Sequence, residues 1–526
     1  MTARGRLALV LHAHLPFVRH PEHRRFLEEH WLYEAITDCY LPLIKMLRGA
    51  AARGSCFRLT LSVSPTLLSM LRDPLLKQRY LDYLGRLIRV CERELACHRD
   101  ADRRTLTRYY HDRIVELRGF YVEELGSDPV RALAELESSG LLELMTTGAT
   151  HGFLPLLRSE PAAVRAQLGV ARDYFRDTFG RPPRGLWLPE CGYYPGLEAE
   201  VARAGYRYVI LDAHGLQQAR PRPRAGVYAP IESNGVAVFG RDPESAREVW
   251  SRDSGYPGHP LYREYHRDLG YEPDAAASLA GFLPPGVVAA PTGLKYFRVT
   301  GGAGPKVPYV PSLALHQAER DAARFLEGRR QLLARVGRSV TAPIVVAPYD
   351  AELFGHWWFE GPAFLDSLSR YLDAAPDLEP VTLGGYLARF GTASEGQPAA
   401  STWGEQGYNG AWLRPETGWV YLRLHQAASE LKRLVLGLDA MPPDARRLRT
   451  LRQAGRSLLL AQGSDWTFQM GRDTRSDYAE SVIRDQLARF GFLTGAFRGA
   501  ATHERQLAAL EGMDNLFPHL DLGHFV

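Results

Sequence analysis

Seven short apolar runs, each giving way to polar or ionisable residues, restrict what this chain can become. Residues 7–11 lead to His12 and His14, residues 57–63 to Ser64 and Pro65, and residues 141–145 to the stretch from Thr146 through His151. Residues 184–188 lead to Glu190, 207–211 to Asp212 and His214, 236–239 to Arg241 and Asp242, and 344–347 to Asp350. Helix-period stretches such as 162–179 and 198–204 follow several of them. Short strands alternating with helices call for a parallel sheet. Polar residues gathered at the strands' C-terminal ends point to a barrel, whose loops at that end build the active site. An open doubly wound sheet is the competing arrangement. It would want a glycine-rich phosphate turn after the first strand, where this chain has His12-Ala13-His14-Leu15-Pro16.

Three segments depart from the alternation. Residues 72–138 are charged and helix-periodic, which predicts an inserted helical subdomain. Residues 217–310 are rich in Pro, Gly and Tyr and predict long loops around the barrel mouth. Residues 392–416 read as a linker or lid, and from 417 to 526 the pattern is helical, as in 418–436, 444–462 and 478–497. The expected division is therefore a catalytic barrel over 1–71 and 139–400, a helical insertion over 72–138, and a C-terminal helical domain over 401–526 that carries a Trp-containing segment. No solenoid-period repeat is present.

With 526 residues, 45% of them hydrophobic and 24% charged, the chain has ample material for a large core and is not disordered. A net charge of +4 supplies no basic field for nucleic acid. Arginine far outnumbers lysine, which occurs only at 45, 77, 295, 306 and 432. The five cysteines (39, 56, 91, 97 and 191) are odd in number and lack metal-type spacing; Cys91 and Cys97 fall on one helical run as packed thiols. A reducing cytoplasm suits them. Residues 1–6 run straight into the first strand with no signal-peptide core, and no apolar stretch approaches membrane-spanning length. A soluble, unexported, cytoplasmic protein is expected, with no membrane or nucleic-acid partner; the oligomeric state is not legible.

Glu190 and Asp350 carry the chemistry. The first is bordered by Trp187, Tyr193 and Tyr194, the second by Tyr349, Phe354, Trp357 and Trp358. A single carboxylate after a strand is most often a turn residue or a helix cap. Two of them among this many aromatics suit a sugar-cleaving site, in which one attacks the anomeric carbon, the other shuttles the proton, and ring faces stack on pyranoses. Carboxyls about 5–5.5 Å apart would retain anomeric configuration, and about 6.5–9.5 Å apart would invert it. An apolar ring around Asp350 would raise its pKa, favouring Asp350 as acid/base and Glu190 as nucleophile, though the residues alone leave the roles exchangeable.

His12 and His14 lie two apart, on the same side of an extended chain. They could ligate a metal with Asp212 or another carboxylate, donate hydrogen bonds to sugar hydroxyls and the nucleophile, or simply be buried and satisfied. His151 and His214 carry the same ambiguity. Trp403 and Trp412 occur in a Gly-rich, polar segment with little local core, so glucan stacking competes with burial. Residues 250–268 mix turn formers with aromatics and arginines, as a substrate-contact loop should. Neither a Walker loop, an H-E-x-x-H helix nor a G-x-S-x-G elbow occurs.

These segments together resemble glycoside hydrolase family 57: His12-Ala-His14-Leu-Pro, Gly148-Ala-Thr-His151, Trp187-Leu-Pro-Glu190-Cys-Gly-Tyr, and the run from Tyr349-Asp350 to Gly361. Residues 239–245, 255–258 and 262–268 and the helical C-terminal part look like its 1,4-α-glucan branching subgroup. Thr150 stands where other members often carry Glu. The resemblance implies an α/β fold, a (β/α)7 barrel with a helical insertion and a C-terminal α-helical domain. It implies a retaining transglycosylase of glycogen biosynthesis with Glu190 as nucleophile and Asp350 as proton donor. Amylose or glycogen would be both donor and acceptor, with neither metal nor cofactor. It also implies glucan contacts from His12, His14, His151, Trp403, Trp412, Asp465 and an arginine of 262–268, for which Arg263 is preferred to Arg267. The competing readings are an α-1,4-glucan hydrolase or 4-α-glucanotransferase of the same family. A metal-dependent sugar deacetylase using His12, His14 and an Asp, or an inactive glucan-binding protein, lies further off.

Overall fold

The inner wall of the protein is set by a two-residue period. In a computed structural model describing residues 5–251, 254–301, 305–438, 444–471, 476–499 and 504–526, strand β1 (Gly5–Ala13) places Ala8 and Val10 in one apolar cluster and Leu7, Leu9 and Leu11 in another. Successive strand side chains point to opposite faces, so the first set fills the barrel and the second meets the surrounding helices. The other staves are β2 (Leu59–Val63), β3 (Leu142–Met145), β4 (Gly185–Leu186), β5 (Tyr208–Leu211), β6 (Val236–Gly240) and β7 (Ile344–Asp350).

All seven expected runs are these staves. Parallel ladders join β3–β2–β1–β7 and β4–β5–β6. The two arcs close at one seam through a parallel bridge between Thr146 and Leu186, and at the other through a hydrogen bond of 2.8 Å from the Asp242 N–H to the Val346 carbonyl. The result is the expected (β/α)7 barrel. Three further short strands were not anticipated: Ile231–Ser233 antiparallel to β6, Leu378–Pro380 beside the start of β1, and Ser394–Glu395 beside Ile231–Ser233.

Within 72–138 lie the helices Pro74–Cys97, Ala101–Gly119 and Pro129–Ser138, with a π-turn at Phe120–Glu124. Each of the three helices starts at an aspartate, Asp73, Asp100 and Asp128, whose side chain accepts a first-turn N–H. The expected long-loop region holds β6, the helix Pro243–Trp250 and short turns. Helices Pro311–Val336 and Gly361–Asp373 complete the outer ring. Beyond 417 come Gly418–Leu436, Ala445–Ala461, Ser464–Met470, Ser476–Phe497 and Glu504–Met513.

The helical C-terminal part is tied to the barrel by specific contacts. His524 Nε2 meets Asp173 Oδ2 at 2.6 Å on helix Pro161–Phe179, where Gly169 makes room: a Cβ there would lie 2.3 Å from the His524 ring. No helix among the described residues is long and apolar enough to cross a membrane. All five cysteines are free thiols. The N-terminal residues 1–4 and the pair Arg252-Asp253 of the expected substrate loop lie outside the described residues.

Candidate active site

Strand parity carries the chemistry to the top of the barrel. His12 shares the inward face of β1 with Ala8 and Val10, and in the β1–β7 ladder it sits directly beside Asp350. Asp350 in turn shares parity with the inward Ile344 and Val346. Two of the expected site residues are thus neighbours by register alone.

Glu190 arrives by a tighter route. After β4 the chain makes a 3-10 turn, Pro189–Cys191, in which Glu190 and Cys191 hold φ of 60° and 50°. Such left-handed backbone is uncommon outside glycine and costs of order 1–3 kcal/mol, so the surroundings must hold it. They do so from the segment expected to be a lid. The Trp403 N–H donates to the Glu190 carbonyl at 3.1 Å, and its indole Nε1–H donates to Oε2 at 2.7 Å. Ser464, opening the helix Ser464–Met470, donates its hydroxyl to Oε1 at 3.2 Å. Burial pushes the Glu190 carboxyl up to about 7 against the Trp403 hydrogen bond; the Asp465 charge adds to the rise, and His14 and Ser464 counter it.

The histidines form a directional chain. Ser464 spends its proton on Glu190, so it must accept from His151 Nδ1, 2.8 Å away. His151 Nε2 is then an acceptor and takes the His12 Nε2–H at 3.0 Å, leaving His12 Nδ1 to accept from the Ser62 hydroxyl at 3.0 Å. This tautomer assignment follows from the network and requires both rings neutral. Burial lowers both well below ordinary histidine, with His14's charge adding to the effect. His12 stacks on buried Trp187 at 4.6 Å, and His151, itself at φ 57°, stacks on His14 at 3.9 Å.

His14 differs. Its Nε2 lies 2.9 Å from Asp465 Oδ2, and although burial opposes its charge most strongly, the Asp465, Glu352 and Glu190 carboxylates raise its pKa. His14, with its pKa raised, therefore carries charge more readily beside Glu190 than His12 and His151, which are lowered.

Asp350 is held without such help. Burial keeps its carboxyl well above the usual aspartate range; the charges of Glu352 and Glu190 add to this, and Arg241 opposes it. Among the described residues no hydrogen bond reaches its side chain. Arg241 is itself buried, paired with Asp212 at 3.1 Å and lying over the Trp403 ring at 5.6 Å. The expected apolar wall is only half right. Tyr349 has outward parity and donates to the Ser245 carbonyl, and Trp357 is 51% exposed and stacked on Tyr265. Burial still raises Asp350, but neighbouring carboxylates reinforce it.

Two expected glucan contacts need correction. Trp412 is 1% exposed and packs on Phe153 at 4.2 Å; the apparent lack of local core misled because that core comes from a distant loop. Arg263 is also buried, its guanidinium 3.8 Å from the Phe359 ring centre and donating to the Gly293 carbonyl, so it is committed to packing. Arg267 lies over Phe297 at 4.5 Å. His214 bonds Asp212 at 3.2 Å and the Gly407 carbonyl at 2.9 Å, anchoring the Trp403 segment.

Two residues of the cluster escaped sequence reasoning. Glu352 accepts from the Tyr40 hydroxyl and the His14 N–H and is raised to about 7 by burial, against the Tyr40 hydrogen bond. Its place two residues after Asp350 was the available signal. Ser464 adjoins Asp465, but nothing in its local sequence points at Glu190. Among the described residues one group could hold a cation: ligand atoms of His14, His151 and Asp465 lie within 4.8 Å of one another. His14 Nε2, both His151 nitrogens and Asp465 Oδ2 already take part in the hydrogen bonds just described, while His14 Nδ1 is buried without a partner.

Residues 8–394 match the family model described as Glycosyl hydrolase family 57, and residues 423–525 match one described as the C-terminal domain of 1,4-alpha-glucan branching enzyme. The chain is 30% identical to the probable 1,4-alpha-glucan branching enzyme Rv3031 of Mycobacterium tuberculosis, over 90% of this chain and 89% of that one. Among solved structures, the alpha-amylase AmyC of Thermotoga maritima aligns with a TM-score of 0.91 at 34% identity, covering 99% of each chain. The GH57-type branching enzyme of Pyrococcus horikoshii aligns with a TM-score of 0.88 at 30% identity, covering 99% of this chain and 97% of that one.

Proposed function

The chain belongs to glycosyl hydrolase family 57, and we propose that it is a 1,4-α-glucan branching enzyme, a retaining transglycosylase that moves an α-1,4-glucan segment onto a glucan 6-hydroxyl. The observation that carries the mechanism is the unequal support of two buried carboxyls. Glu190 has two donors aimed at its oxygens, which favour the anion, whereas Asp350 has none and sits among negative charge. Glu190 attacks C1 of the donor glucose while Asp350 gives its proton to the leaving 4-oxygen. The non-reducing segment stays on Glu190 as a glycosyl ester. Asp350, now ionised, takes the proton of an acceptor 6-hydroxyl, whose oxygen displaces Glu190 with a second inversion.

Transfer requires that a glucan hydroxyl reach the ester before water does, so the site must exclude water and position the acceptor. The Trp403 segment and residues 239–262 are the candidates for that cover. We take the catalytic barrel as 1–71 and 139–400, the insertion as 72–138 and the helical domain as 401–526. His12, His14, His151, Trp403 and Asp465 are taken as the substrate-side residues. The setting we propose is cytoplasmic glycogen synthesis with amylose or glycogen as donor and acceptor, in keeping with singly buried thiols at 39, 91 and 191.

Hydrolysis is the second reading, favoured by the similarity to the alpha-amylase AmyC of Thermotoga maritima. Incubation with amylose, enzymatic debranching and chain-length analysis separate the two, with Glu190→Gln as control. New α-1,6 linkages that vanish in the control support branching. Shorter linear chains with new reducing ends would replace it by hydrolysis, and redistributed linear chains by 4-α-glucanotransfer.

A further inference from the structure

Away from the acid pair, a cavity of about 840 Å³ opens between residues 23–33, the helices Pro74–Cys97 and Ala101–Gly119, and the segment near Gly281. Its lining carries six arginines (Arg24, Arg25, Arg79, Arg86, Arg89 and Arg118) against two carboxylates, Glu29 and Asp82, an excess of four positive charges. Glu29 is already committed to Arg79. Among the described residues none of the other five arginines forms an ion pair.

An arginine-rich chain puts many guanidinium groups on its surface, and several elsewhere find acids. Arg48 pairs with Glu135 at 2.8 Å, Arg53 with Asp366 at 3.0 Å, and Arg449 with both Glu504 and Glu511. Here two buried nitrogens are left over as well: Nε of Arg86, a donor, and Nδ1 of His30, whose residue is 3% exposed, have no hydrogen-bond partner among the described residues. A buried unsatisfied polar atom costs about 1–3 kcal/mol, so a cluster of them beside unpaired like charges is expensive unless something binds there. The like charges are felt locally. Burial first, then Arg86 and Arg25, lower His30 to about 4, and burial with Arg25 lowers Arg86.

We infer that this cavity is a binding site for a small ligand bearing two phosphoryl groups. Each phosphoryl group carries about −1.5 to −2 charge at neutral pH and three strong acceptor oxygens, so two of them balance the excess of four. Guanidinium forks match phosphate bidentately, and the cavity lies within the roughly 300–1,000 Å³ that small-molecule sites occupy. Arg86 and Arg89 reach it from one face of a single helix, three residues apart, and Arg118 from the next helix of the insertion. The inference does not depend on what the barrel catalyses.

The test is calorimetric titration of the full chain with inorganic pyrophosphate, with orthophosphate and sulfate in parallel. Saturable binding of one pyrophosphate per chain, tighter than either single anion, is expected. Arg86→Gln should weaken it about tenfold or more, and Arg86→Lys should recover part of the loss. Arg89→Gln/Arg118→Gln, altering two exposed side chains, serves if the Arg86 variants do not fold, and should cause a similar loss. Glu190→Gln should leave binding unchanged. Pyrophosphate binding no tighter than sulfate, or insensitive to both sets of arginine variants, would overturn the proposal. So would a site that takes up a short oligonucleotide while pyrophosphate fails to compete, which would mark a nonspecific polyanion surface.

Discussion

The turn that carries Glu190 and the strand end that carries Asp350 reach the same cluster of charges by opposite means. Asp350 is placed by the barrel alone: β7 alternates, the register with β1 fixes its neighbour as His12, and no hydrogen bond is added. Glu190 is placed by a left-handed turn pinned from outside the barrel wall, by Trp403 and Ser464 more than 200 residues later in the chain. The barrel therefore supplies a carboxyl that resists ionising, and the C-terminal part supplies the donors that let its partner ionise. That division of labour ties catalysis to the integrity of the Trp403 and Ser464 segments.

The largest expected effect tests which carboxyl is the nucleophile. Glu190→Gln should lower turnover on amylose by roughly 10⁴-fold or more, and Asp350→Asn by about 10²–10⁴-fold. An aryl α-glucoside whose phenolate leaves unaided separates the roles. It should restore the glycosylation burst of the Asp350 variant and do nothing for the Glu190 variant. The reverse pattern would exchange the two residues and break the comparison. In the wild-type enzyme, activity should rise with pH as Glu190 loses its proton near its raised value of about 7, and fall as Asp350 loses its own. The two apparent values belong to the coupled pair.

Next comes a pair of tryptophans that looked alike in sequence. Trp412→Ala should cost about 3–5 kcal/mol of stability in urea denaturation, because it empties a buried site against Phe153, and should leave the KM for amylose near wild type in the folded fraction. Trp403→Phe should do the converse. Losing one donor to a carboxylate is worth about 1.5–3 kcal/mol, so kcat/KM should fall about tenfold to a hundredfold with little change in stability. The rising limb of its pH profile should move to higher pH, since the donor favoured the anion. A Trp403 variant with a raised KM and an unmoved pH limb would reduce that residue to a sugar platform.

These pairs also mark how much was legible beforehand. The seven staves were readable because each is a short apolar run, and alternation plus polar strand ends places His12 and Asp350 with no further information. Glu190 was readable as a carboxylate after a strand, but not its left-handed turn, which no local signal announces. Ser464 was invisible because its importance lies in partners fixed only by the folded chain, and Glu352 offered only its nearness to Asp350. Trp412 and Arg263 misled for one reason: local composition suggested exposure, while the residues that bury them, Phe153 and Phe359, lie far off in sequence. The Pro-Gly-Tyr region concealed the helix Pro243–Trp250 because turn formers outnumber the residues that define it.

The smallest effect concerns the charge behind Asp350. Glu352 is buried and raised to about 7 from 4.5, so the folded chain keeps a proton there that the unfolded chain releases. Stability linked to this group is therefore greatest below pH 4.5, declines as pH rises between 4.5 and about 7, and is not regained above that. Glu352→Gln keeps an acceptor for the Tyr40 hydroxyl and the His14 N–H while removing the charge. The variant should be about 1–3 kcal/mol more stable than wild type in urea at about pH 8, with little difference at about pH 5. It should also lower the pKa of Asp350, whose rise Glu352 reinforces, and so draw the falling limb of activity to lower pH. A variant no more stable at high pH, with an unmoved falling limb, would mean that burial alone holds the proton on Asp350. The carboxylate behind it would then contribute nothing to the contrast with Glu190.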